Sequence, residues 1–318
     1  MQAVILAAGQ GKRLQPLSLT RSKAMMPVLG KPIVERVMED LAANGVYDFV
    51  LIVSPEDREI VNYFQRESKL NAAIRFARQP QRRGMADALA CAARLIYGDF
   101  FLSACDNLIS PEHVADMLRA WEQPPSPAGL LTLMPIKAEQ LKRASAVALQ
   151  GDRVTGIVEK PDPETAPSKI ASLPLYCFSP LLLEYLPKVN PSSRGEYELQ
   201  DAIQMLIDGG AYVRGIRVEK RLQLTTAADL IEINAHYLSR NGDYVGIPAE
   251  NIGAGTRLHS PVFIEAGTVI GANCAIGPNV YIETGCRIGD HVTLRDALVL
   301  RNSNVAGGRT VVGEVILP

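Results

Sequence analysis

Residues 4–17 read VILAAGQGKRLQPL and contain the first structural signal of the chain. An apolar run, Ala3 to Ala8, breaks into a loop that carries two glycines and two basic residues. Glycine has no Cβ, so the backbone N–H groups around it can approach an anion closely. The pattern predicts a buried strand followed by a loop that binds phosphate.

Two common phosphate-binding motifs do not match this loop. A dinucleotide-binding fingerprint, G-x-G-x-x-G, requires a glycine where Leu14 stands. A Walker loop, G-x-x-x-x-G-K-[ST], requires Ser or Thr where Arg13 stands, and a further glycine five residues before Gly11. The loop therefore belongs to a third kind of phosphate site.

Short apolar runs alternate with longer amphipathic segments up to about residue 240. The apolar runs predict strands at Ala3–Ala7, Phe49–Val53, Ile74–Ala77, Phe100–Ala104 and Gly129–Met134. The segments between them predict helices at Pro32–Asn44, Glu56–Arg66, Met85–Ile96 and Pro111–Trp121, with further helices from Glu196 and from Ala227. Residues 145–161 predict a hairpin that turns at Gly151 and Asp152. Strands separated by helices indicate an α/β fold with a mostly parallel sheet that is covered on both faces.

A six-residue period begins after about Gly246. The aliphatic residues in this register are Ile252, Leu258, Ile264, Ile270, Ile276, Ile282, Ile288, Leu294 and Leu300. Such hexapeptide repeats are typical of a parallel β-helix in which the aliphatic residue points inward. A left-handed β-helix uses about three hexads in each coil, so the repeat predicts roughly three coils.

The composition narrows the class of protein. The 318 residues carry a formal net charge of −1, which argues against general nucleic-acid binding. The five cysteines form no C-x-x-C pair, so neither a zinc site nor a redox motif is predicted. No apolar run approaches the ~20 residues of a membrane span, and no signal peptide is visible. We expect a cytoplasmic protein with no membrane and no nucleic-acid partner.

The opening motif resembles that of the sugar-1-phosphate nucleotidyltransferase family. The resemblance rests on L-A-A-G-x-G-x-R-L-x-P-L, then Lys23, then M-x-P-V-x-x-K-P. It implies a Rossmann-like nucleotidyltransferase domain with a mostly parallel sheet over residues 1–245, and a short left-handed β-helix domain over residues 246–318. It also implies a reaction in which a nucleoside triphosphate and a sugar 1-phosphate yield a nucleotide sugar and pyrophosphate.

The resemblance implies roles for particular residues. Arg13, Lys23 and Asp106 match the catalytic positions, and Asp106 is the position that binds Mg²⁺. The nucleotide would contact Leu6, Ala8, Gly9, Gly11, Lys12, Gln79 and Gly84, with Gln79 at the edge of a uracil or thymine and Gly84 letting the base approach the backbone. The sugar phosphate would contact Glu159, Lys160, Ser172 and Glu196.

Four charged residues near these motifs each have two interpretations. Arg82 and Arg83 are either solvated charges or neighbours of the phosphates. Glu198 and Asp201 are either sugar-side groups or ordinary capping and surface charges.

The sequence departs from the family pattern at two places. The second metal ligand falls on Gln223 in one alignment and on Lys220 in the other, and neither is a usual ligand. In the sugar pocket, Ser172 replaces an asparagine and Pro174 replaces a glycine. The first departure keeps open a non-catalytic, regulatory homologue that binds a sugar nucleotide. The second changes which hydroxyl or acetamido groups of a sugar can be paired, so glucose is not assumed.

The β-helix also has two interpretations. In one branch of the family it is an acetyltransferase with a catalytic histidine, for which His259 and His291 are the candidates. A short β-helix is more typical of a scaffold, so we expect both histidines to be exposed and the domain to support a homo-oligomer.

Overall fold

The computed structural model describes all 318 residues. They form two compact units, and neither is continuous in sequence. The first contains Met1–Gln10 and Val34–Leu222, and the second contains Gly11–Ile33 and Gln223–Pro318. None of the helices combines the length and the apolar character needed to cross a membrane.

A nine-stranded sheet forms the centre of the first unit. Its strands are β1 (Gln2–Leu6), β2 (Asp48–Val53), β3 (Ala73–Arg78), β4 (Phe100–Ala104), β5 (Gly129–Pro135), β6 (Ser145–Gln150), β7 (Arg153–Glu159), β8 (Ile170–Phe178) and β9 (Val213–Arg217). Their order is β3-β2-β1-β4-β8-β5-β9-β7-β6, and β8 pairs with β6 as well. The five strands predicted from apolar runs are all present, with ends that differ by one residue at most.

The half of the sheet that contains β1 is parallel, as the alternation of strands and helices predicts. Strands β3, β2, β1 and β4 all run in one direction. Successive residues such as Val4 and Ile5 point to opposite faces, and both are fully buried. Beyond β4 the sheet is mixed, because β8 runs antiparallel to β4 and β5 and the predicted β6–β7 hairpin is antiparallel.

Six α-helices accompany the strands: α1 (Ile33–Ala42), α2 (Arg58–Arg66), α3 (Met85–Ala92), α4 (Pro111–Glu122), α5 (Leu199–Asp208) and α6 (Ala227–Asn241). On one face of the sheet, α3 and α5 bury apolar side chains such as Leu89 and Ile203 against strand residues such as Leu131. Because both faces of the parallel strands are covered, these strands can be apolar along their whole length.

Two predicted helix ends were wrong by three residues or more. The helix expected from Glu196 begins at Leu199. The residues before Leu199 are not helical, because the Tyr197 N–H donates outside the helix, to the carbonyl of Arg83 at 2.7 Å. The helix expected to reach Ile96 ends at Ala92 and continues only as a 3₁₀ turn over Ala93–Leu95.

The second unit contains α6, a short hairpin formed by Pro27–Val28 and Lys31–Pro32, and a parallel β-helix. The β-helix has three parallel sheets, one for each face of the coil. Its strands are β10 (Tyr244–Val245), β11 (Arg257–Leu258), β12 (Val262–Ile264), β13 (Val269–Ile270), β14 (Ala275–Ile276), β15 (Val280–Ile282), β16 (Arg287–Ile288), β17 (Thr293–Arg295), β18 (Ala297–Val299), β19 (Asn304–Val305), β20 (Thr310–Val312) and β21 (Val315–Ile316).

The hexad register holds for eight of the nine predicted positions and is wrong for the last. Ile264 pairs with Ile282, eighteen residues later, as three hexads require. Ile282 pairs with Val299, so the next coil is one residue shorter. Val299 and not Leu300 therefore lies in the core of the β-helix, although Leu300 is buried as well.

Candidate active site

The glycine turn, which is predicted to bind phosphate, and Asp106, which is predicted to bind a metal ion, follow two strands that end at the same edge of the sheet. Strands β1 and β4 are parallel neighbours, and Leu6 lies opposite Ala104 at their carboxyl ends. The N–H of Cys105 donates to the carbonyl of Leu6 at 3.2 Å. The structure thus brings the turn at Ala8 and Gly9 close to Asp106. Crevices at the carboxyl ends of parallel strands are the usual ligand sites of such sheets.

The glycine turn has a basic side chain attached to it. Nε of Arg82 donates to the carbonyl of Ala8 at 2.7 Å. Of its two interpretations, a place beside the turn that is predicted to bind phosphate therefore fits Arg82 better than an unattached surface charge. A Cβ added to Gly9 would meet no atom within 4 Å, so the space in front of this residue is open.

The rest of the signature lies in the second unit. Gly11 has a φ of +61° and precedes the 3₁₀ turn Lys12–Leu14, in which Lys12 and Arg13 are exposed. The carbonyl of Gly11 accepts hydrogen bonds from Leu14 N–H at 2.8 Å and from Ser18 Oγ at 2.9 Å. A Cβ on Gly11 would lie 3.2 Å from the Cβ of Lys23. The structure therefore packs Lys23 directly against the Gly11 turn.

The candidate base-reading residue is fixed by a partner that sequence reasoning missed. Gln79 is buried, and its Nε2 donates to Asp87 Oδ2 at 2.8 Å and to the carbonyl of Gly84 at 3.1 Å. Asp87 is in turn bound by Arg83, whose Nη2 lies 2.6 Å from Oδ1. With Nε2 occupied, Gln79 presents Oε1 as its acceptor. Asp87 is the only charged residue of the alanine-rich helix α3, and a single charge in an apolar helix is the sequence signal that could have identified it.

The backbone of Tyr197 leaves no space for a side chain at Gly84. Its φ is +111°, and a Cβ there would lie 2.4 Å from the carbonyl oxygen of Tyr197 and 2.7 Å from its nitrogen. No side chain fits at this position, whether or not a base is bound.

Two of the predicted sugar-side residues, Glu159 and Lys160, belong to a second polar cluster. Glu159 Oε2 accepts from Ser145 Oγ at 2.5 Å, and its Oε1 lies 3.1 Å from Nζ of Lys160. Ser145 accepts in turn from Nε2 of Gln200 at 2.8 Å. Gln200 is 2% exposed, and its buried Oε1 has no hydrogen-bond partner. Gln200 was missed although it lies in the matched stretch RGEYELQDAI, because glutamine has no charge to attract notice.

The other predicted sugar-side residues differ in burial. Ser172 is 5% exposed and shares a 3.0 Å hydrogen bond with the hydroxyl of Tyr176. Burial raises the pKa of Tyr176, so its hydroxyl stays protonated. Glu196 is exposed, and the structure gives it no side-chain contact with this cluster.

The two carboxylates after Glu196 are not plain surface charges. Glu198 is 3% exposed and accepts from Arg194 at 2.7 Å and from Ser192 at 3.0 Å. Burial raises the pKa of Asp201, and the nearby charges of Glu198 and Glu159 raise it further. Asp201 is therefore within reach of the charge of Glu159, and Glu198 is held by the loop that precedes α5.

The surroundings of Asp106 suit a hard cation that arrives with its own ligands. Asp106 is 5% exposed, and both polar side-chain atoms of the adjacent Asn107 are buried without a hydrogen-bond partner. No group of three or more Asp, Glu, His or Cys side chains is arranged to hold a metal ion. Mg²⁺ is commonly held by one or two carboxylates together with substrate phosphates, and such a set fits these residues.

A basic residue that sequence reasoning missed, Arg221, lies near the carboxylate of Asp106. Burial lowers the pKa of Arg221, and the negative charge of Asp106 opposes that change. Arg221 directly follows Lys220, one of the two positions at which the alignments put a second metal ligand, and Lys220 itself is exposed. The other position, Gln223, lies in the second unit and is partly buried. His259 and His291 are both exposed on the β-helix, as expected.

Comparisons with known proteins show what the chain is similar to. Residues 2–240 match the family described as nucleotidyl transferase, and residues 258–317 match the family described as GMPPB C-terminal domain. The UTP–glucose-1-phosphate uridylyltransferase of Haloferax volcanii is 32% identical over 219 residues, which cover 69% of this chain and 88% of that protein.

Two longer relatives cover the β-helix as well. The glucose-1-phosphate thymidylyltransferase of Streptomyces antibioticus is 28% identical over 99% of this chain and 92% of its own length. A bifunctional sugar-1-phosphate nucleotidylyltransferase/acetyltransferase of Sulfurisphaera tokodaii is 28% identical over 100% of this chain and 75% of its own length. Among solved structures, a UDP-glucose pyrophosphorylase with UDP-glucose has the same fold over 75% of this chain and 98% of that chain, with a TM-score of 0.68 and 20% identity.

Proposed function

The chain belongs to the nucleotidyl transferase family, and we propose that it joins UTP or dTTP to a hexose 1-phosphate and releases pyrophosphate. The observation that carries this proposal is the shared sheet edge, at which the glycine turn after β1 and Asp106 after β4 come together. An oxygen of the sugar phosphate attacks the α-phosphorus, and the bond from that phosphorus to the oxygen that bridges to the β-phosphate breaks. Two polyanions must meet, so the site needs positive charge and aligned N–H donors.

The residues of the signature supply these donors in our proposal. The backbone N–H groups from Ala8 to Lys12 bind the triphosphate, and the open space before Gly9 leaves room for it. Arg13 stabilises charge on the phosphates in the transition state. Lys23 binds the α-phosphate or the incoming sugar phosphate.

The orientation of Gln79 supports a uracil or thymine base. Because Nε2 is held by Asp87 and the carbonyl of Gly84, Oε1 accepts from the base. Uracil and thymine carry an N3–H that can donate to it, whereas cytosine has no hydrogen at N3. An acceptor placed opposite N3 therefore favours uracil and thymine over cytosine, whose unprotonated N3 would face it as a second acceptor.

The sugar 1-phosphate binds at the second cluster in our proposal. Lys160 pairs with its phosphate, and Glu159 accepts hydrogen bonds from sugar hydroxyls. Ser172 and Glu196 complete the set that the family motifs predict. The unpartnered Oε1 of Gln200 adds an acceptor for one more hydroxyl.

We propose Mg²⁺ as the divalent ion of this site. Asp106 would hold it together with phosphate oxygens and water, and Gln223 remains the predicted second ligand. When bound, the ion offsets negative charge on the triphosphate. The positive charge of Arg221 acts on the same carboxylate from the protein side.

The remaining predictions concern the whole protein. A homo-oligomer formed through the β-helix, a cytoplasmic location and a domain division at residues 245/246 stay predictions from the sequence. An added acetyltransferase activity and a purely regulatory homologue are the alternatives, and no contact of His259 or His291 favours the first of them.

The first experiment is an assay of pyrophosphate release with Mg²⁺. It tests UTP, dTTP, GTP, CTP and ATP against several hexose 1-phosphates, with Asp106→Asn as the inactive variant and Asp208→Asn as the matched control. Asp208 is an exposed carboxylate bonded only to Gln204. We expect turnover with UTP or dTTP that falls at least about a hundredfold in Asp106→Asn and not in the control.

One result would contradict the proposal. Nucleotide binding without turnover in any combination would make the regulatory homologue the better interpretation. Consumption of acetyl-CoA in a parallel assay would leave the transferase activity standing and add the second activity of the bifunctional alternative.

A further inference from the structure

A buried ion pair joins the signature region to the β-helix within the second unit. Nη1 and Nη2 of Arg21 donate to Oε1 and Oε2 of Glu283 at 2.6 and 2.9 Å. The two side chains are 4% and 9% exposed. A buried pair of this kind is often no more stabilising than well-packed apolar residues, so stability alone does not account for it.

The carboxylate of Glu283 is fixed by the β-helix itself. The backbone N–H of Arg301, in the next coil, donates to Oε2 at 2.7 Å. The hydroxyl of Thr268, in the preceding coil, donates to the backbone carbonyl of Glu283 at 3.2 Å. The β-helix therefore sets the place of the acceptor to which Arg21 binds.

The chain segment that begins at Arg21 is attached to the β-helix at its other end too, through Gly30. The N–H of Gly30 donates to the hydroxyl of Tyr281 at 3.2 Å, and Tyr281 donates to Glu265 at 2.5 Å. Both Tyr281 and Glu283 belong to or adjoin strand β15. Between the two ends, Asn234 of α6 accepts from Leu29 N–H at 3.1 Å and donates to the carbonyl of Pro27 at 3.1 Å.

Lys23 lies inside this segment, two residues after Arg21. The 3₁₀ turn Lys23–Met25 follows directly from the fixed arginine. The close approach of Lys23 to Gly11 leaves little space for it to shift without moving the glycine turn. A displacement of Arg21 would therefore reach Lys23 and Gly11 together.

We propose that the β-helix is a positioning element for nucleotidyl transfer, acting through Arg21 and Gly30 on Lys23. Glu283 and Tyr281 are positioning residues, because they touch no reacting atom. This inference rests on the proposed function, since it takes Lys23 to be a phosphate-binding residue. It gives the β-helix a part in the reaction in addition to any role in oligomer formation.

The test uses the full-length protein and three variants. Glu283→Gln keeps the shape of the side chain and removes its charge. The double variant Arg21→Met with Glu283→Leu replaces the pair with apolar residues of similar size. Glu314→Gln is the control, because Glu314 pairs with Arg309 on the exposed surface of the same β-helix.

We expect Glu283→Gln to lower kcat for pyrophosphate release by at least about tenfold, since small misplacements of catalytic groups lower rates steeply. The preferred base and sugar should not change, because neither recognition cluster is touched. The double variant should recover the thermal stability that Glu283→Gln loses but not its kcat. The Glu314→Gln control should match the wild type in both.

Recovery of both stability and kcat in the double variant would overturn the inference, as would an unchanged kcat in Glu283→Gln. Hydrogen exchange over residues 21–33 gives a readout that does not require activity. Faster exchange in Glu283→Gln than in Glu314→Gln supports the positioning role, and equal exchange overturns it. A wild type that releases no pyrophosphate would instead count against the proposed function, so the two failures are distinguishable.

Discussion

Nε2 of Gln79 donates to Oδ2 of Asp87 at 2.8 Å, a bond that joins the loop after β3 to the first turns of α3. Asp87 is itself held by Arg83 through the other oxygen. The amide of Gln79 is thus fixed in one orientation before any ligand arrives. Selectivity for a base should therefore depend on a residue that does not touch the base.

Replacement of Asp87 tests this dependence. In Asp87→Ala the amide of Gln79 can turn over, so its acceptor no longer faces the base in every molecule. We expect kcat/KM for the preferred nucleotide to fall by about tenfold, the equivalent of one hydrogen bond to a charged group. Competition between UTP or dTTP and CTP measures the loss of selectivity directly.

The control for this variant is Asp116→Ala. Asp116 is an exposed helical carboxylate that pairs with Arg119 three residues later. An unchanged base preference in Asp87→Ala, or an equal loss in Asp116→Ala, would contradict the role of Asp87.

Ser145 should affect the sugar phosphate and not the nucleotide. Its hydroxyl donates to Glu159 and accepts from Gln200, so it fixes the predicted acceptor Glu159 and the additional one, Gln200, that the structure reveals. We expect Ser145→Ala to raise KM for the sugar 1-phosphate by about tenfold, because a bond to a charged group is lost. KM for the nucleotide should stay within about twofold of the wild type.

Ser168→Ala is the matched control, since that hydroxyl donates to a backbone carbonyl, Val147, at 2.6 Å. A rise of both KM values in Ser145→Ala would indicate general disruption of the site and refute the prediction.

Gly84→Ala should destabilise the first unit. The new methyl group would lie 2.4 Å from the carbonyl oxygen of Tyr197, and the backbone already has a φ of +111°. We expect the free energy of unfolding to fall by about 3 kcal/mol or more, since backbone has to move. Chemical denaturation measures the change.

Gly45→Ala separates steric overlap from the effect of positive φ. Gly45 has a φ of +83°, and a Cβ there would meet no atom within 4 Å. This variant should lose only the roughly 1–2 kcal/mol that a left-handed backbone costs a residue with a Cβ. Equal losses in the two variants would show that overlap with Tyr197 has no effect.

The sequence predicted the strands and helices better than the side-chain contacts between them. Apolar runs bounded by turns give strands such as Phe100–Ala104 directly, because a parallel strand buried on both faces must be apolar throughout. The bond between Gln79 and Asp87 depends on how a loop meets a helix, and no local pattern encodes that meeting. The register change at Val299 was missed because one deleted residue leaves the aliphatic character of the repeat intact. The ion pair of Arg21 with Glu283 lay beyond any local rule, because its partners are 262 positions apart.

The carboxyl group of Glu265 should make stability depend on pH. Burial raises its pKa above the ordinary value of 4.5, and the neighbouring charge of Glu283 adds to the rise. The folded protein therefore keeps this proton to a higher pH than the unfolded chain does. Its contribution to stability is fully present below about pH 4.5 and is lost as the pH rises through the raised pKa.

Glu265→Gln has no proton to lose at this position. We expect the Tm of the wild type, relative to that of the variant, to be highest at pH 4 and to decline toward pH 8. Thermal melts of both proteins across this range measure the difference. A difference in Tm that stays constant from pH 4 to pH 8 would refute the assignment.

The interleaving of the two units also determines when the molecule can become active. Gly11–Ile33 shares its compact unit with Gln223–Pro318. A ribosome adds about 5–20 residues per second, so Arg21 waits on the order of tens of seconds before Glu283 has been made. The segment that carries Lys23 is made before Glu283 and reaches its final contacts only after Glu283 has been made. We therefore expect nascent chains that stop short of residue 283 to lack a correctly placed Lys23, which ties the onset of catalysis to the synthesis of the β-helix.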